Sequence, residues 1–227
     1  MRTTEKNSTR CGRVIAIGDI HGHAAALESL LQRIAPQLED TIVTLGDYVD
    51  GGPDSKGVLD QLIELEFRCK LVPLRGNHEE MMLGARHAHS DFEFWKNCGA
   101  ITTLDSYGDT GRLDQIPTAH IDFVERCVND FEIDTHFFIH ANYFPNRWLK
   151  DQDHRTRFWL PLSDEMPGPH FSGKTAVVGH TPQLTGRILD LGYLNCIDTG
   201  CGYGGYLTAL DVNTGELWQV NEQGRPV

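Results

Sequence analysis

The chain has 227 residues, 40% of them hydrophobic and 23% charged, and its 32 acidic against 20 basic residues give a formal net charge of −12. That charge repels a phosphate backbone, whose binding draws on clustered Lys and Arg, so nucleic acid is not an expected partner. No apolar run approaches the roughly 18 residues of a bilayer-crossing helix and the start has no apolar signal region, so no membrane association is expected and the location expected is cytoplasmic.

Residues 1–11 are polar and read as a flexible N-terminus, and residues 12–227 read as a single domain without linker or repeat. The first β-branched run, Val14–Ile17, reads as a strand, followed by a helical pattern at Leu27, Leu30, Leu31 and Ile34. Thr41–Leu45 reads as the second strand, Val58, Leu59, Leu62, Ile63 and Leu65 as the second helix, and Leu71–Leu74 as the third strand. This alternation predicts a layered α/β domain. From about residue 79 to 130 the strand signal stops, and Trp95–Tyr107 and Thr118–Val128 read as helices, the second entered through Pro117. They form an expected helical insertion. Phe137–Ile139, Thr175–Val178, Leu194–Ile197, Leu207–Val212 and Leu217–Val220 then read as strands, and after Thr175 the helices stop and turn residues such as Asn213-Thr214-Gly215 predict that this last part is mostly antiparallel.

Five of these strands end alike, in Gly18-Asp19-Ile20-His21-Gly22, in the run from Gly46 to Gly52, in Arg75 to Glu80, in His140-Ala141-Asn142 and in Gly179-His180-Thr181-Pro182. The carboxyl ends of strands in an α/β sheet line a common crevice, so these ends are expected to converge. Asp19 and His21, two apart on an extended chain, would face the same way and grip a metal. Asp19, His21, Asp47, Asn77, His140 and His180 are the candidate ligands. Carboxylate, amide oxygen and imidazole together suit Mn²⁺, Fe or Zn²⁺ better than Ca²⁺. Six residues suit two ions roughly 3.5–4 Å apart that share a carboxylate, here Asp47, with a bridging water ionised to serve as nucleophile. His78, next to Asn77, is expected to point away from the metals as general acid, and Asp50 to orient it.

The ordered motifs, spanning roughly Val14 to Val220, resemble those of the calcineurin-like metallophosphoesterases, specifically the phosphoprotein phosphatase (Ser/Thr protein phosphatase) family of bacterial type. The resemblance implies a four-layer α/β sandwich, two mixed sheets flanked by helices. It also implies two metal ions, Mn²⁺ or an Fe/Zn pair, with Asp19, His21 and Asp47 holding one and Asp47, Asn77, His140 and His180 the other. The implied activity is hydrolysis of a phosphorylated protein or small phosphomonoester by direct attack of a metal-bridging hydroxide. Two positions depart from the pattern. Gly51 stands where the resemblance calls for a phosphate-clamping Arg, and Trp159 is followed by Leu160-Pro161 in place of a second Arg. Asn77 and Arg157 are the remaining candidate phosphate contacts, with Arg155 nearby. A symmetrical dinucleoside tetraphosphate hydrolase and a non-catalytic phosphoprotein-binding module are the alternatives.

Gly168–Thr175, GPHFSGKT, satisfies the pattern GxxxxGK[ST], yet a strand pattern follows it where a phosphate-binding loop needs a helix, so Lys174 reads as solvated. The glycine-rich run Thr199–Tyr206 reads as a turn, and Asp198 either supports a metal-ligating His or starts that turn. Phe92, Phe94 and Trp95 read as packing. Cys11, Cys69, Cys98, Cys127, Cys196 and Cys201 form no CxxC pair and read as reduced, mostly buried thiols.

Overall fold

The computed structural model describes residues 12–108 and 112–227, so the reading of residues 1–11 lies outside the described residues. Strands β1 (Val14–Ile17), β2 (Thr41–Thr44) and β3 (Lys70–Pro73) are parallel, joined through helices α1 (Ala24–Ile34) and α2 (Ser55–Leu65). Side chains alternate across β1. Ile15 and Ile17 face the helices and pack with Leu27, Leu30, Leu59 and Leu62, while Ala16 faces the other way. Each such buried Leu or Ile contributes about 1.5–3 kcal/mol. Asp54 caps α2 by accepting from the Gly57 amide at 2.8 Å.

Between β3 and the next strand lie α3 (Asn77–Gly84), α4 (His89–Asn97), α5 (Ala100–Ser106) and α6 (Thr118–Glu125). The single helix expected over Trp95–Tyr107 is broken at Cys98-Gly99, where Gly99 takes φ +118° and turns α5 back on α4. Helix α6 begins after Pro117 but stops at Glu125 instead of Val128. The reason is that Val128 is drawn into the first sheet's edge, its amide donating to Pro73 O at 2.9 Å and its carbonyl accepting from Arg75 at 2.8 Å.

The second sheet comprises β4 (Asp130–Glu132), β5 (His136–Ile139), β6 (Thr175–Val178), β7 (Leu189–Asp190) and β8 (Leu194–Cys196), ordered β4-β5-β6-β8-β7. The strands from Thr175 onward pair mostly antiparallel, as expected, with one parallel exception among them. Strand β8 runs parallel to β6, because the chain after β6 first enters the sheet at its edge as β7 and then turns back between β7 and β6. Short connections give the antiparallel β7–β8 hairpin and the pair of β9 (Tyr206–Asp211) with β10 (Leu217–Asn221), and β9 also runs antiparallel to β1. Those last two strands return to the first sheet, ordered β10-β9-β1-β2-β3.

The two mixed sheets face each other across Ala16, Val43, Leu45, Val72 and Leu74 on one side and Phe138, Val177 and Ile197 on the other. Tyr143, Leu149 and Leu162 cover the outer face of the second sheet. The layered α/β sandwich is therefore as expected, with every parallel strand ending at one rim. Among the described residues no helix is long and apolar enough to cross a membrane.

Candidate metal centre

At that rim the loops after β1 and β2 are laced together before any side chain is considered. The amides of Ile20 and His21 both donate to Asp47 O, at 3.0 and 2.8 Å, and Gly22 donates to Tyr48 O at 2.8 Å. The chain is not extended from Asp19 to His21 as expected, since His21 turns it with φ +47°. Asp47 (φ +51°), Asp50 (φ +70°) and His180 (φ +62°) share this left-handed region, which costs an L-residue about 1–2 kcal/mol each. Of the described non-glycine residues only Ala35 also has positive φ, so backbone strain collects at the rim.

Asp47 is buried between two groups of side chains. Its Oδ2 lies 3.7 Å from His21 Nε2 and 4.0 Å from His78 Nε2, while its Oδ1 lies 3.5 Å from His140 Nε2. The potential donor atoms of His21, Asp47 and His78 all fall within 4.8 Å of one another, as do those of Asp47, His140 and His180. Asn77 joins the second group, its Oδ1 3.0 Å from both His140 Nε2 and His180 Nδ1.

The proton positions decide what this arrangement can hold. His140 Nδ1 donates to Leu45 O at 2.7 Å, which leaves Nε2 of the neutral ring as a lone pair. Burial, outweighing the Asp47 charge, depresses the pKa of His140, and burial together with His140 pushes His180 down to about 4. The lone pair of His140 Nε2, the neutral His180 ring and the oxygens of Asp47 and Asn77 therefore meet at one point, an arrangement that a cation satisfies. Asp19 adds a second sign. Its Oδ2 accepts from the His180 amide at 2.8 Å, but its Oδ1 is buried without a partner. Burial, Asp198 and Asp47 raise the pKa of Asp19. The donor set fits divalent ions that accept imidazole and oxygen together.

His78 does not point away from this group as expected. Its Nδ1 is 2.8 Å from Asp50 Oδ2, so Nε2 is turned toward Asp47, and its ring meets that of His21 edge-on at 4.8 Å between centroids. Burial alone would lower its pKa, but the charges of Asp47 and Asp50 and the Asp50 hydrogen bond raise it to about 9. Asp50, fully buried, also accepts from Trp95 Nε1 at 2.7 Å and from Thr103 Oγ1 at 2.6 Å.

Arg157 is not brought to the site by any contact described. It is buried, its Nη2 donating to Leu149 O at 2.7 Å and Gln152 O at 3.3 Å and lying 3.5 Å from Asp130. The guanidinium ties a short helix, α7 (His154–Phe158), to its surroundings, while Arg155 is exposed. Asp198 starts the glycine-rich turn, accepting from Gly200 at 2.9 Å. In that turn Gly202 lies flat on the His21 ring, where a Cβ would fall 2.7 Å from Cδ2. Lys174 pairs with Glu132 at 2.7 Å, and β6 follows it directly, so no helix N-terminus faces the GPHFSGKT segment.

Sequence reasoning missed Glu79. Its buried carboxylate accepts from the amides of Gly76 (2.9 Å), Asp47 (2.8 Å) and Tyr48 (2.7 Å), clamping the strained Asp47 backbone to the start of α3. Burial and the Asp47 charge raise its pKa to about 7. Its signal was the Glu at the third position of α3, where a side chain reaches back to the helix cap. Trp95 and Thr103 were missed as well, the one read as packing and the other unmarked.

A family model described as calcineurin-like phosphoesterase matches residues 12–213. A serine/threonine-protein phosphatase 1 from Salmonella typhimurium is 33% identical over 206 residues, 86% of this chain and 89% of its own. The asymmetrical bis(5′-nucleosyl)-tetraphosphatase PrpE from Oceanobacillus iheyensis is 27% identical over 223 residues, 87% of each chain. Among solved structures, a cold-active protein-tyrosine phosphatase from a Shewanella species superposes with a TM-score of 0.64 at 19% identity, over 95% of this chain and 80% of that one, a likeness of fold.

Proposed function

The chain belongs to the calcineurin-like phosphoesterases and is a metal-dependent phosphatase, and from that premise we propose that it is a two-metal phosphomonoesterase whose substrate is a phosphorylated protein. The observation that carries the site assignment is Asp47, whose carboxylate oxygens face His21 on one side and His140 and His180 on the other. Asp19, His21 and Asp47 are proposed to hold one divalent ion, and Asp47, Asn77, His140 and His180 the other. Mn²⁺ is the ion we assign, with Fe or Zn as further fits to the same donors. When bound, the ions supply positive charge that polarises the phosphoryl oxygens and acidifies water.

The chain's own residues then carry the proton. Asp50 accepts the Nδ1–H of His78 and fixes the ring, so that Nε2–H faces the centre. A water oxygen bonds to phosphorus as the bond from phosphorus to the leaving oxygen breaks, and the electron pair of the broken bond goes to the leaving oxygen. His78 Nε2 gives its proton to that leaving oxygen and becomes a neutral imidazole still bonded to Asp50. Such a donor is worth about 10²–10⁴-fold. Asn77 links this chemistry to the donor group, since its amide oxygen faces His140 and His180 while the next residue is the acid.

Phosphoprotein is preferred over a dinucleoside polyphosphate on the similarity to the Salmonella protein phosphatase and on charge. A polyphosphate chain asks for several cationic contacts, whereas Gly51 supplies none and Arg157 is spent on Leu149, Gln152 and Asp130. The similarity to the bis(5′-nucleosyl)-tetraphosphatase favours the second reading. A cytoplasmic location is inferred from the free thiols, four of the five described cysteines being buried. Turnover of a phosphoserine peptide and of diadenosine tetraphosphate, compared at equal added Mn²⁺, tests the choice. A higher kcat/KM for the peptide supports the proposal, and a higher value for the dinucleotide overturns it.

A further inference from the structure

We propose that Trp95 and Thr103 are positioning residues that lock the carboxylate of Asp50, and through it the proton-donating imidazole of His78. The inference rests on the reading of His78 given above. Its basis is the way the two oxygens of Asp50 are shared. Oδ2 accepts both His78 Nδ1 at 2.8 Å and Trp95 Nε1 at 2.7 Å, and Oδ1 accepts Thr103 Oγ1 at 2.6 Å. With His78 alone as partner the carboxylate could swing about its Cβ–Cγ bond. Donors on both oxygens fix its plane.

The backbone is held by the same groups. The Asp50 amide donates to Thr103 Oγ1 at 2.9 Å and to Ser55 Oγ at 3.1 Å, and the two hydroxyls are 3.0 Å apart. One set of protons satisfies the whole network: Ser55 O–H donates to Thr103, Thr103 O–H donates to Asp50 Oδ1, and the Asp50 amide is shared between them. The left-handed conformation of Asp50, at φ +70°, is held in place by these bonds.

The break between α4 and α5 now has a purpose that the sequence pattern hides. Trp95 comes from the last turn of α4 and Thr103 from α5, and Gly99 at the corner sits against Asp50, where a Cβ would lie 3.2 Å from the Asp50 Cβ. Trp95 is the one fully buried residue of α4. Packing accounts for a buried indole, but it does not account for Nε1 being aimed at the oxygen that holds the catalytic imidazole. A continuous helix could not wrap this carboxylate from both sides.

The test uses leaving groups, because a group that only supports packing lowers all rates alike. Trp95→Phe keeps an aromatic ring and removes the donor. Thr103→Val keeps the shape and removes the hydroxyl, and Thr103→Ser restores it. Each variant is assayed with added Mn²⁺ on p-nitrophenyl phosphate, whose leaving group needs little protonation, and on phenyl phosphate, whose leaving group needs more. Trp95→Phe and Thr103→Val are expected to lower kcat on phenyl phosphate by about tenfold and on p-nitrophenyl phosphate by less than about threefold. Thr103→Ser should recover most of the loss, and bound metal should match the parent. His78→Asn in the same assay separates the two layers of the argument. If its loss is equal on both esters, the proton-donor reading fails and this inference with it. If His78→Asn shows the leaving-group dependence while Thr103→Val and Trp95→Phe do not, the positioning role alone is overturned.

Discussion

Gly51→Arg puts the phosphate clamp expected from the resemblance back into this chain. Gly51 is exposed and adopts φ +86°, and a Cβ built on it lies 3.5 Å from His21 Cβ, an ordinary contact. There is room for a side chain, but the backbone disfavours one. An L-residue in this region costs about 1–2 kcal/mol, which for a domain of this size lowers Tm by roughly 2–8 °C. That strain is present in the free enzyme and in the transition state alike, so it does not enter kcat/KM. A charge-assisted contact to the phosphate contributes about 1.5–3 kcal/mol, a gain of roughly 10- to 150-fold in kcat/KM. The assay is hydrolysis of an aryl phosphate at fixed Mn²⁺, with thermal melts in the same buffer. Gly51→Ala serves as the control, with the same fall in Tm and no gain in rate. A fall in kcat/KM for Gly51→Arg, with metal content unchanged and Gly51→Ala normal, would refute the reasoning and show that substrate fills the space.

Glu79→Gln keeps one carbonyl oxygen but turns an NH₂ toward amides that now find an acceptor. The loss of one or two buried hydrogen bonds should cost about 2–4 kcal/mol, read by urea denaturation, and a change under about 0.5 kcal/mol would remove Glu79 as the clamp of the Asp47 loop. Asp40 accepts from the Arg13 amide at 2.9 Å, from Arg13 Nε at 3.1 Å and from the Gln37 amide at 2.9 Å. Burial opposes its ionisation, but these donors outweigh it and hold its pKa below the usual carboxylate range. Its contribution is therefore fully present above about pH 4 and is lost as pH falls through the lower folded value. Asp40→Asn should destabilise by about 1–3 kcal/mol at pH 7, and the gap to the parent protein should close at acid pH. A gap that does not change between pH 7 and pH 3 would contradict the assignment. Leu30→Ala, which empties a fully buried position between α1 and the first sheet, should cost about 2–5 kcal/mol by the same denaturation, and a neutral result would contradict the packing described.

The strand ends were legible because Asp, His and Gly at fixed spacing after short β-branched runs leave few structural alternatives. Asp19, His21, Asp47, Asn77, His140 and His180 could be named before any fold was known, and the structure brings them to one rim. The backbone there could not be read. Asp and His are enriched among left-handed residues, but the type alone does not say which Asp or His turns the chain, so Asp19 and His21 looked like neighbours on an extended strand. Trp95 fits a helical apolar pattern equally well whether its indole nitrogen is idle or bonded to Asp50. Arg157 drew attention by lying near Trp159, but the fold buries its guanidinium against backbone carbonyls. The edge strands β4 and β7 are too short, and too acidic, to give a period-2 signal.

The central claim is that Asp47 joins two metal sites on which phosphatase activity depends. Calorimetric titration of Mn²⁺ into chelator-stripped protein, with phosphate release followed on the same samples, tests it most directly. Two ions per chain are predicted, with activity appearing as the second site fills, and Asp47→Asn should lower the stoichiometry and abolish the rate. Undiminished turnover by the stripped protein, or two ions still bound by a fully active Asp47→Asn variant, would contradict the account.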